Sequence, residues 1–330
     1  MATAQQIKAL VKSYCESDDA RFYSVAMQVA ANEAKKGHLD FARELRALIE
    51  TAKERRSLPV QGAPIISIAA PRGELAELLA AYRPDTRLSD MVLMPELEAR
   101  LRRILEEQRQ MAKLKANALN PRQRLLLTGP PGCGKTMCAS ALAGELGLTL
   151  LVVRLDGLIT KYMGETTAKL RLIFDAVERT RAVYLFDEFD SIGMARGSGH
   201  DVGEIRRVLN SFLAFMERHT GTSLLIAATN HPHGLDTALF RRFDDLLEFP
   251  LPGPSLTEKA IRRRLASAPG RTRVDLGKSA AEADGMSFAE IVKACDEAMK
   301  EMLLQERDEL RTADLLTAIR ERRAFLKRGK

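Results

Sequence analysis

The sequence predicts an α/β fold, in which a parallel-sheet core is preceded by a small all-helical domain and followed by a helical subdomain. Short apolar runs of three to five residues alternate with longer amphipathic stretches through the middle of the chain. Such runs are typical of strands that are buried on both faces of a parallel sheet. Towards both ends of the chain, apolar residues recur at helical spacing instead, which predicts helices.

The chain divides into four segments with different patterns. The predicted segments are a helical N-terminal domain at 1–56, a linker at 57–87, the α/β core at 88–250 and a helical lid subdomain at 251–330. The N-terminal domain carries three amphipathic stripes, which can be buried only against each other, and prolines mark the linker. Strands are expected in the core at 125–127, 150–153, 183–186, 224–228 and 246–249. Beyond the core we expect no further strands, and Ser255 and Ser287 are each expected to begin a helix with a capping box.

The composition limits the functional class. Of 330 residues, 45% are hydrophobic and 29% are charged, so collagen-like and wholly disordered chains are excluded. No apolar run approaches the ~18 residues of a membrane span, and the first residues lack the features of a signal peptide. The four cysteines are not spaced as metal ligands and predict reduced thiols, so we expect a cytoplasmic protein. The net charge of +7 permits a nucleic-acid or acidic partner without requiring one.

A glycine-rich segment directly after the first core strand matches the pattern G-x-x-x-x-G-K-[ST] of a phosphate-binding loop, the Walker A motif. Its residues are Gly129, Pro130, Pro131, Gly132, Cys133, Gly134, Lys135 and Thr136. The glycines let backbone N–H groups converge on phosphates, and the following helix directs its positive end to the same place. Lys135 is expected to neutralise phosphate charge and Thr136 to ligate Mg²⁺, so the predicted cofactors are ATP and Mg²⁺. The Cys133 side chain has no predicted role.

A later apolar strand ends in two acids, Asp187 and Glu188, which is the Walker B pattern. Because parallel strands end at one edge of a sheet, both carboxylates are predicted to lie beside the phosphate-binding loop. Asp187 is expected to hold Mg²⁺ through water, and Glu188 is expected to polarise the attacking water as a general base. The glutamate therefore indicates hydrolysis of ATP rather than binding alone.

From about residue 88 to residue 320 the chain resembles the AAA+ ATPases, and within them the AAA clade that includes spastin, katanin and the proteasomal ATPases. The resemblance implies a P-loop NTPase core with a helical lid, and it assigns Asn230 to the orientation of the attacking water. Arg241 and Arg242 match the region in which an arginine finger reaches into the neighbouring subunit's ATP site. The sequence leaves open which of the two is the finger. A finger that acts in trans implies a homo-oligomer, by resemblance a hexameric ring.

The resemblance also suggests the kind of substrate. Tyr162 and Met163 occupy the position of the family's pore loop, which grips an extended polypeptide through apolar contacts. Residues 90–92 match the segment that cups the adenine, and Phe288 stands where the clade usually has glycine at the start of a lid helix. The expected function is ATP-driven remodelling, unfolding or disassembly of proteins, with the N-terminal helices recruiting the substrate or an adaptor. Two alternatives stay open: a nucleic-acid-associated helper, which the pore loop and finger region disfavour, and an ATP-switched scaffold for a partner such as a protease.

Overall fold

The structure is a computed structural model that describes residues 71, 73–158, 163–190, 201–232 and 237–328. The N-terminal domain predicted at 1–56 lies outside these residues. The described residues all belong to one compact unit, Ala69–Lys330. Within that part of the chain, no helix combines the length and the apolar character that crossing a membrane requires.

Helices and strands alternate as far as residue 250, and helices dominate beyond it. The described helices are α1 (Glu74–Leu78), α2 (Pro95–Arg109), α3 (Met111–Ala116), α4 (Lys135–Leu146), α5 (Leu155–Leu158), α6 (Met163–Arg179), α7 (Asp201–Arg218), α8 (Thr237–Phe240), α9 (Pro254–Leu265), α10 (Leu276–Glu282), α11 (Phe288–Leu304) and α12 (Thr312–Arg328), with a 3₁₀ turn at Leu88–Asp90. The described strands are β1 (Leu79–Tyr82), β2 (Arg124–Thr128), β3 (Leu150–Val153), β4 (Val183–Phe186), β5 (Leu224–Thr229), β6 (Asp245–Glu248), β7 (Arg271–Arg273) and β8 (Glu309–Arg311).

Six strands form the central sheet in the spatial order β1-β3-β4-β5-β2-β6. The strands from β2 to β6 pair in parallel, whereas β1 pairs antiparallel with β3 at one edge. The five parallel strands are those that the apolar runs predict, with bounds that differ from the prediction by at most about one residue. The predicted α/β class is therefore confirmed.

Both faces of the sheet are buried, which explains why its strands are continuous apolar runs. Leu125 and Leu127 of β2 pack into one core cluster with residues of α2 and α4. Leu126, between them, packs on the opposite face with residues of α6 and α7. All three side chains are fully buried, and burial of each contributes roughly 1.5–3 kcal/mol to stability. Strand β2 is thus held from both sides.

Residues 74–82 lie within the segment predicted as a linker, and the structure corrects that prediction there. They form α1 and the edge strand β1, and Leu78 and Leu79 are buried in the core cluster that also contains Leu126. The strand is only four residues long and directly follows α1, so its apolar residues do not stand out in the sequence from those of the helix. The residues that follow β1 pack closely against α4. A Cβ atom on Gly144 of this helix would lie only 2.1 Å from the carbonyl oxygen of Thr86.

The C-terminal subdomain packs α9, α11 and α12 around a core cluster of its own and corrects two predictions. Strands β7 and β8 pair in parallel, although no strand was expected there; each has three residues, mostly charged or polar, and so lacks an apolar run. Helix α9 begins at Pro254, so Ser255 lies inside the helix rather than capping it. Ser287 is the N-cap of α11, but its side chain makes no capping hydrogen bond.

We expect Gly144→Ala to destabilise the protein although it places alanine inside a helix. Helix propensity alone would stabilise the variant by about 1 kcal/mol. The new Cβ would instead collide with the backbone of Thr86, which cannot move without displacing its segment, so we expect a net loss of roughly 1–3 kcal/mol. The measurement is the midpoint of thermal unfolding.

Gly277→Ala is the matched control, because a Cβ on this glycine of α10 would meet its nearest neighbours at 3.6 and 3.8 Å, ordinary contact distances. Its midpoint is expected to stay or rise. A rise for Gly144→Ala as well would contradict the packing of Thr86 against α4.

Candidate active site

The glycine-rich segment forms the loop between β2 and α4. Gly129, Gly132 and Gly134 have φ angles of 140°, 77° and 99°, which residues with a side chain rarely adopt. A Cβ on Gly129 would also lie 2.1 Å from the carbonyl oxygen of Phe249, so the loop packs tightly against the end of β6. Helix α4 begins at Lys135 and has 12 residues, and it therefore directs its unpaired N–H groups and its positive end at the loop. This geometry suits an anionic phosphate.

Lys135 lies against the loop that precedes it. Its side chain is buried, and its ammonium group donates hydrogen bonds to the carbonyl oxygens of Gly129 at 2.7 Å and Pro130 at 2.8 Å. Burial lowers the pKa of Lys135, while the nearby Asp187 and Asp190 carboxylates act in the opposite direction. A phosphate bound in the loop would add negative charge beside this group and favour its protonated form.

Thr136 and Asp187 come together from two elements, as the sequence predicts. The Thr136 hydroxyl donates a hydrogen bond to Asp187 Oδ2 at 2.6 Å, and the backbone N–H of Glu188 donates to Asp187 Oδ1 at 2.9 Å. Hydroxyl and carboxylate oxygens are the ligands that Mg²⁺ prefers, with waters and phosphate oxygens completing its octahedral shell. The donor set therefore fits Mg²⁺, and these two residues would hold it.

Glu188 is the exposed member of the acidic pair. Its φ angle is 50°, a left-handed conformation that is uncommon outside glycine and often occurs at functional sites. The backbone at Glu188 is held in place by the next residue, Phe189. This residue is fully buried, and its N–H donates to the carbonyl oxygen of Ala228 in β5 at 2.8 Å. The carboxylate of Glu188 is therefore free to act on a ligand at the edge of the sheet.

Asn230 directly follows β5, and its position depends on Asp190, which sequence analysis missed. Asp190 Oδ1 accepts hydrogen bonds from the Thr229 hydroxyl at 2.9 Å and from the Asn230 N–H at 3.4 Å. This carboxylate links the end of β5 to the turn that follows β4. In the sequence, Asp190 is visible only as a third acid in the run Asp-Glu-Phe-Asp. Its partner Thr229 is 39 residues away, so the sequence does not show that the two are bonded.

A cavity of about 260 Å³ lies beside the loop, next to Gly134. Its walls are mostly apolar and include Val92, Met137 and Phe288. Residues 90–92, expected to cup the adenine, do line it, and the ring of Phe288 occupies the lid side, where it also packs against the lid cluster. A nucleotide with its phosphates in the loop would extend its base towards this cavity.

The lid contacts the loop directly. The N–H of Ala289, in the first turn of α11, donates to the carbonyl oxygen of Gly132 at 3.1 Å. A Cβ atom on Gly132 would lie 2.5 Å from the Ser287 hydroxyl oxygen, so glycine is required here for packing as well as for its φ angle. The backbone of the phosphate-binding loop is therefore in direct contact with the lid helix.

The structure distinguishes the two adjacent arginines. Arg242 forms an ion pair with Glu217 near the end of α7. Arg241 is exposed, and within the part of the chain that the structure describes it makes no ion pair. Only Arg241 is thus available to a second molecule without first breaking a contact.

Three further predicted site residues remain to be placed. Tyr162 lies outside the described residues; Met163 begins α6, but its side chain is not among the described atoms, so the pore loop stays a prediction. Cys133 is buried in the loop, and burial raises the pKa of its thiol. At neutral pH it is therefore protonated and not a nucleophile.

A parallel sheet that carries a phosphate-binding loop after one strand and paired acids after its second neighbour defines the class of P-loop nucleoside triphosphatases. The model of the family "ATPase family associated with various cellular activities (AAA)" matches residues 125–251. The "Uncharacterized AAA family ATPase y4kL" of Sinorhizobium fredii is 34% identical over 322 residues, covering 97% of this chain and 96% of that protein. The chain therefore belongs to the AAA family of AAA+ ATPases. It is an ATP-hydrolysing enzyme, and the family binds its nucleotide with a divalent metal, typically Mg²⁺.

Two further relatives are larger proteins. "ATPase family gene 2 protein homolog A" of Homo sapiens is 36% identical over 186 residues, 54% of this chain and 21% of that protein. "ATP-dependent zinc metalloprotease FtsH 3" of Sphaerobacter thermophilus is 31% identical over 253 residues, 75% of this chain and 52% of that protein. The chain thus spans about half the length of the second relative and about a fifth of the first.

We expect Phe288→Ala to weaken binding of ATP and ADP about tenfold, because an aromatic contact with the base contributes roughly 0.5–1.5 kcal/mol beyond area burial. Affinity for inorganic tripolyphosphate, which has no base, should change less than about twofold, since the loop is intact. Titration calorimetry with all three ligands measures both effects.

Tyr82→Ala is the matched control, because this ring in the edge strand β1 is 56% exposed and lines neither this cavity nor the one next to Pro130 and Gly132. It should leave all three affinities unchanged. An equal loss of ATP and tripolyphosphate affinity in Phe288→Ala would mean that the ring supports the fold of the lid and not the base.

Proposed function

We propose that the chain is a ring-forming ATPase, a homo-oligomer that is hexameric by resemblance, and that it remodels, unfolds or disassembles protein substrates through a central pore. The observation that carries the proposal is the exposed guanidinium of Arg241, which forms no ion pair with any residue that the structure describes, beside the ion-paired Arg242. A guanidinium placed against a neighbour's transferring phosphoryl group stabilises the transition-state charge and accelerates hydrolysis by roughly 10³–10⁵. A lone subunit lacks that contribution, so hydrolysis depends on assembly.

Three residues of one subunit hold the triphosphate. Lys135 neutralises phosphate charge from a position next to the loop, and the loop N–H groups orient the phosphate oxygens. Thr136 and Asp187 would hold Mg²⁺, which when bound would offset negative charge on the phosphates. The hydrogen bond between their oxygens brings both ligands to one place before the nucleotide binds.

The remaining residues act on the attacking water. Glu188, exposed at the edge of the sheet, accepts its proton as the general base. Asn230 orients the same water from the neighbouring strand end, where Asp190 fixes its backbone. Arg241 of the neighbouring subunit supplies positive charge at the far side of the phosphoryl group. The reaction centre therefore consists of residues from two copies of the chain.

The contact between Gly132 and Ala289 supports a mechanical role, because a change at the phosphates reaches the lid through this contact. Rigid-body movement of the lid against the core would move the Tyr162 loop along the channel, while the N-terminal helices recruit the substrate or an adaptor. An aromatic and a methionine at the pore favour a polypeptide over nucleic acid. A cytoplasmic location agrees with the reduced cysteines expected from sequence.

Mixing experiments test the shared site. Arg241→Ala and Glu188→Gln are each expected to bind ATP and to hydrolyse it at least about 100-fold more slowly than wild type. Mixed before assembly, they should regain activity, because an Arg241→Ala subunit keeps its base and receives the finger of a Glu188→Gln neighbour. In a random equimolar ring about one quarter of the sites would be complete.

Arg242→Ala is the matched control for this experiment. It removes an ion pair within the subunit and should retain most of the activity alone. If the mixture is no more active than its components, or if activity per wild-type subunit stays constant on dilution to the monomer, hydrolysis is completed within one chain and the proposal fails.

Tyr162→Ala tests the threading role. Basal ATPase activity should be nearly unchanged, whereas unfolding of a fluorescent protein substrate should be lost, because the channel loses its apolar grip. Unchanged unfolding would contradict threading. Stimulation of ATPase activity by DNA, decreasing with salt, would favour the nucleic-acid alternative; stable capture of a protease by the Glu188→Gln variant in ATP, without unfolding, would favour the scaffold.

A further inference from the structure

The segment that carries Arg241 is anchored by one carboxylate. Asp244 Oδ2 accepts hydrogen bonds from the backbone N–H groups of Gln123 at 2.8 Å and Arg124 at 2.9 Å. Asp244 Oδ1 accepts two more from the Arg124 guanidinium, at 2.6 Å from Nη2 and 3.1 Å from Nε. The N–H of Asp244 in turn donates to the carbonyl oxygen of Arg124 at 2.8 Å. Five hydrogen bonds thus join one residue to the start of β2.

This attachment exceeds what strand pairing requires. The ladder between β2 and β6 begins only at Leu125 and Asp245 and uses backbone groups alone. The Asp244 side chain is 21% exposed and that of Arg124 is 29% exposed, so the ion pair is partly withdrawn from water and is screened less than a surface pair. Charge-assisted, bidentate hydrogen bonds of this kind also fix geometry.

The rest of the segment is held as well, with one exception. Phe240, at the end of α8, and Phe243 pack against the sheet cluster. Arg242 is paired with Glu217. Arg241 is therefore the residue of this turn that is exposed and, among the residues that the structure describes, has no ion-pair partner, while its neighbours in the turn are attached to the core.

We infer that Asp244 is a positioning residue for Arg241: by anchoring the turn to β2, it holds the guanidinium where a neighbouring subunit's nucleotide can reach it. The inference rests on the proposed action of Arg241 in trans. A finger contributes to the rate only if its geometry is set before the transition state forms, and misplacement of about 1 Å can slow a reaction about 100-fold. Without the carboxylate, the turn keeps its apolar contacts but loses four of its five hydrogen bonds to β2.

The test is hydrolysis by Asp244→Ala, alone and mixed with Glu188→Gln. Alone, the variant should hydrolyse ATP at least about tenfold more slowly at saturation, with its dissociation constant for ATP within about twofold of wild type. Mixed with Glu188→Gln before assembly, it should regain as much activity as Arg241→Ala does. Rescue is the informative readout, since a misfolded subunit could not use a finger supplied by its neighbour.

Two further variants act as controls. Arg124→Ala removes the guanidinium bonds and leaves the backbone bonds to Asp244, so it should show a smaller loss that the same partner rescues. Asp245→Ala removes the adjacent carboxylate, which pairs with Arg100 and Arg122 and not with Gln123 or Arg124, the partners of Asp244. It should lower the midpoint of thermal unfolding but keep kcat within about threefold of wild type.

The outcomes separate the two proposals. Wild-type activity of Asp244→Ala alone would overturn the positioning role, and so would a loss that Glu188→Gln does not rescue while it rescues Arg241→Ala. Failure of Glu188→Gln to rescue Arg241→Ala would overturn the trans finger itself and, with it, this inference. Rescue of both variants to the same level supports both.

Discussion

The constraint on which the active site depends is the burial of β2 between two core clusters. Leu125, Leu126 and Leu127 are fully buried on alternate faces of the sheet, and truncation of one such side chain typically costs about 2–5 kcal/mol. The strand runs into the phosphate-binding loop at its carboxyl end and holds Asp244 at its amino end. Five residues of strand separate these points by about 17 Å. The proposed phosphate site of a subunit and the base of its proposed finger are therefore held by one strand.

The catalytic edge is built by connecting strand ends to each other. The carboxyl ends of β2, β5 and β4 lie side by side. Hydrogen bonds cross between them: Thr136 to Asp187 joins the helix after β2 to the end of β4, and Thr229 to Asp190 joins β5 to the turn after β4. Such bonds set the positions of the polar groups before a ligand binds, which is the arrangement that electrostatic catalysis needs. Glu188 is exposed at the same edge, next to residues that carry these connections.

Features that depend on local pattern were predictable from the sequence, whereas features that depend on distant contacts were not. The parallel strands were predictable because burial on both faces makes them apolar runs. The phosphate-binding loop and the acidic pair were predictable because each motif is contiguous in sequence. Strands β1, β7 and β8 are short or polar, and only their partners define them. Asp190 and Asp244 are bonded to residues 39 and 120 positions away, which no single-sequence pattern reveals. Arg241 and Arg242 are chemically identical in sequence, and only the position of Glu217 distinguishes them.

The attachments of lid and finger indicate how sites in a ring would communicate. The lid touches the nucleotide region at Gly132 and through the Phe288 wall of the cavity, so a nucleotide bound to both stabilises the arrangement in which lid and core are close. In the described part of the chain, hydrogen bonds of Asp244 join the turn that carries Arg241 to the start of β2 in the core. Lid movement within a subunit would therefore leave its proposed finger in place relative to β2. In the proposed ring, one site can influence the next only by changing how the core of one copy packs against its neighbour.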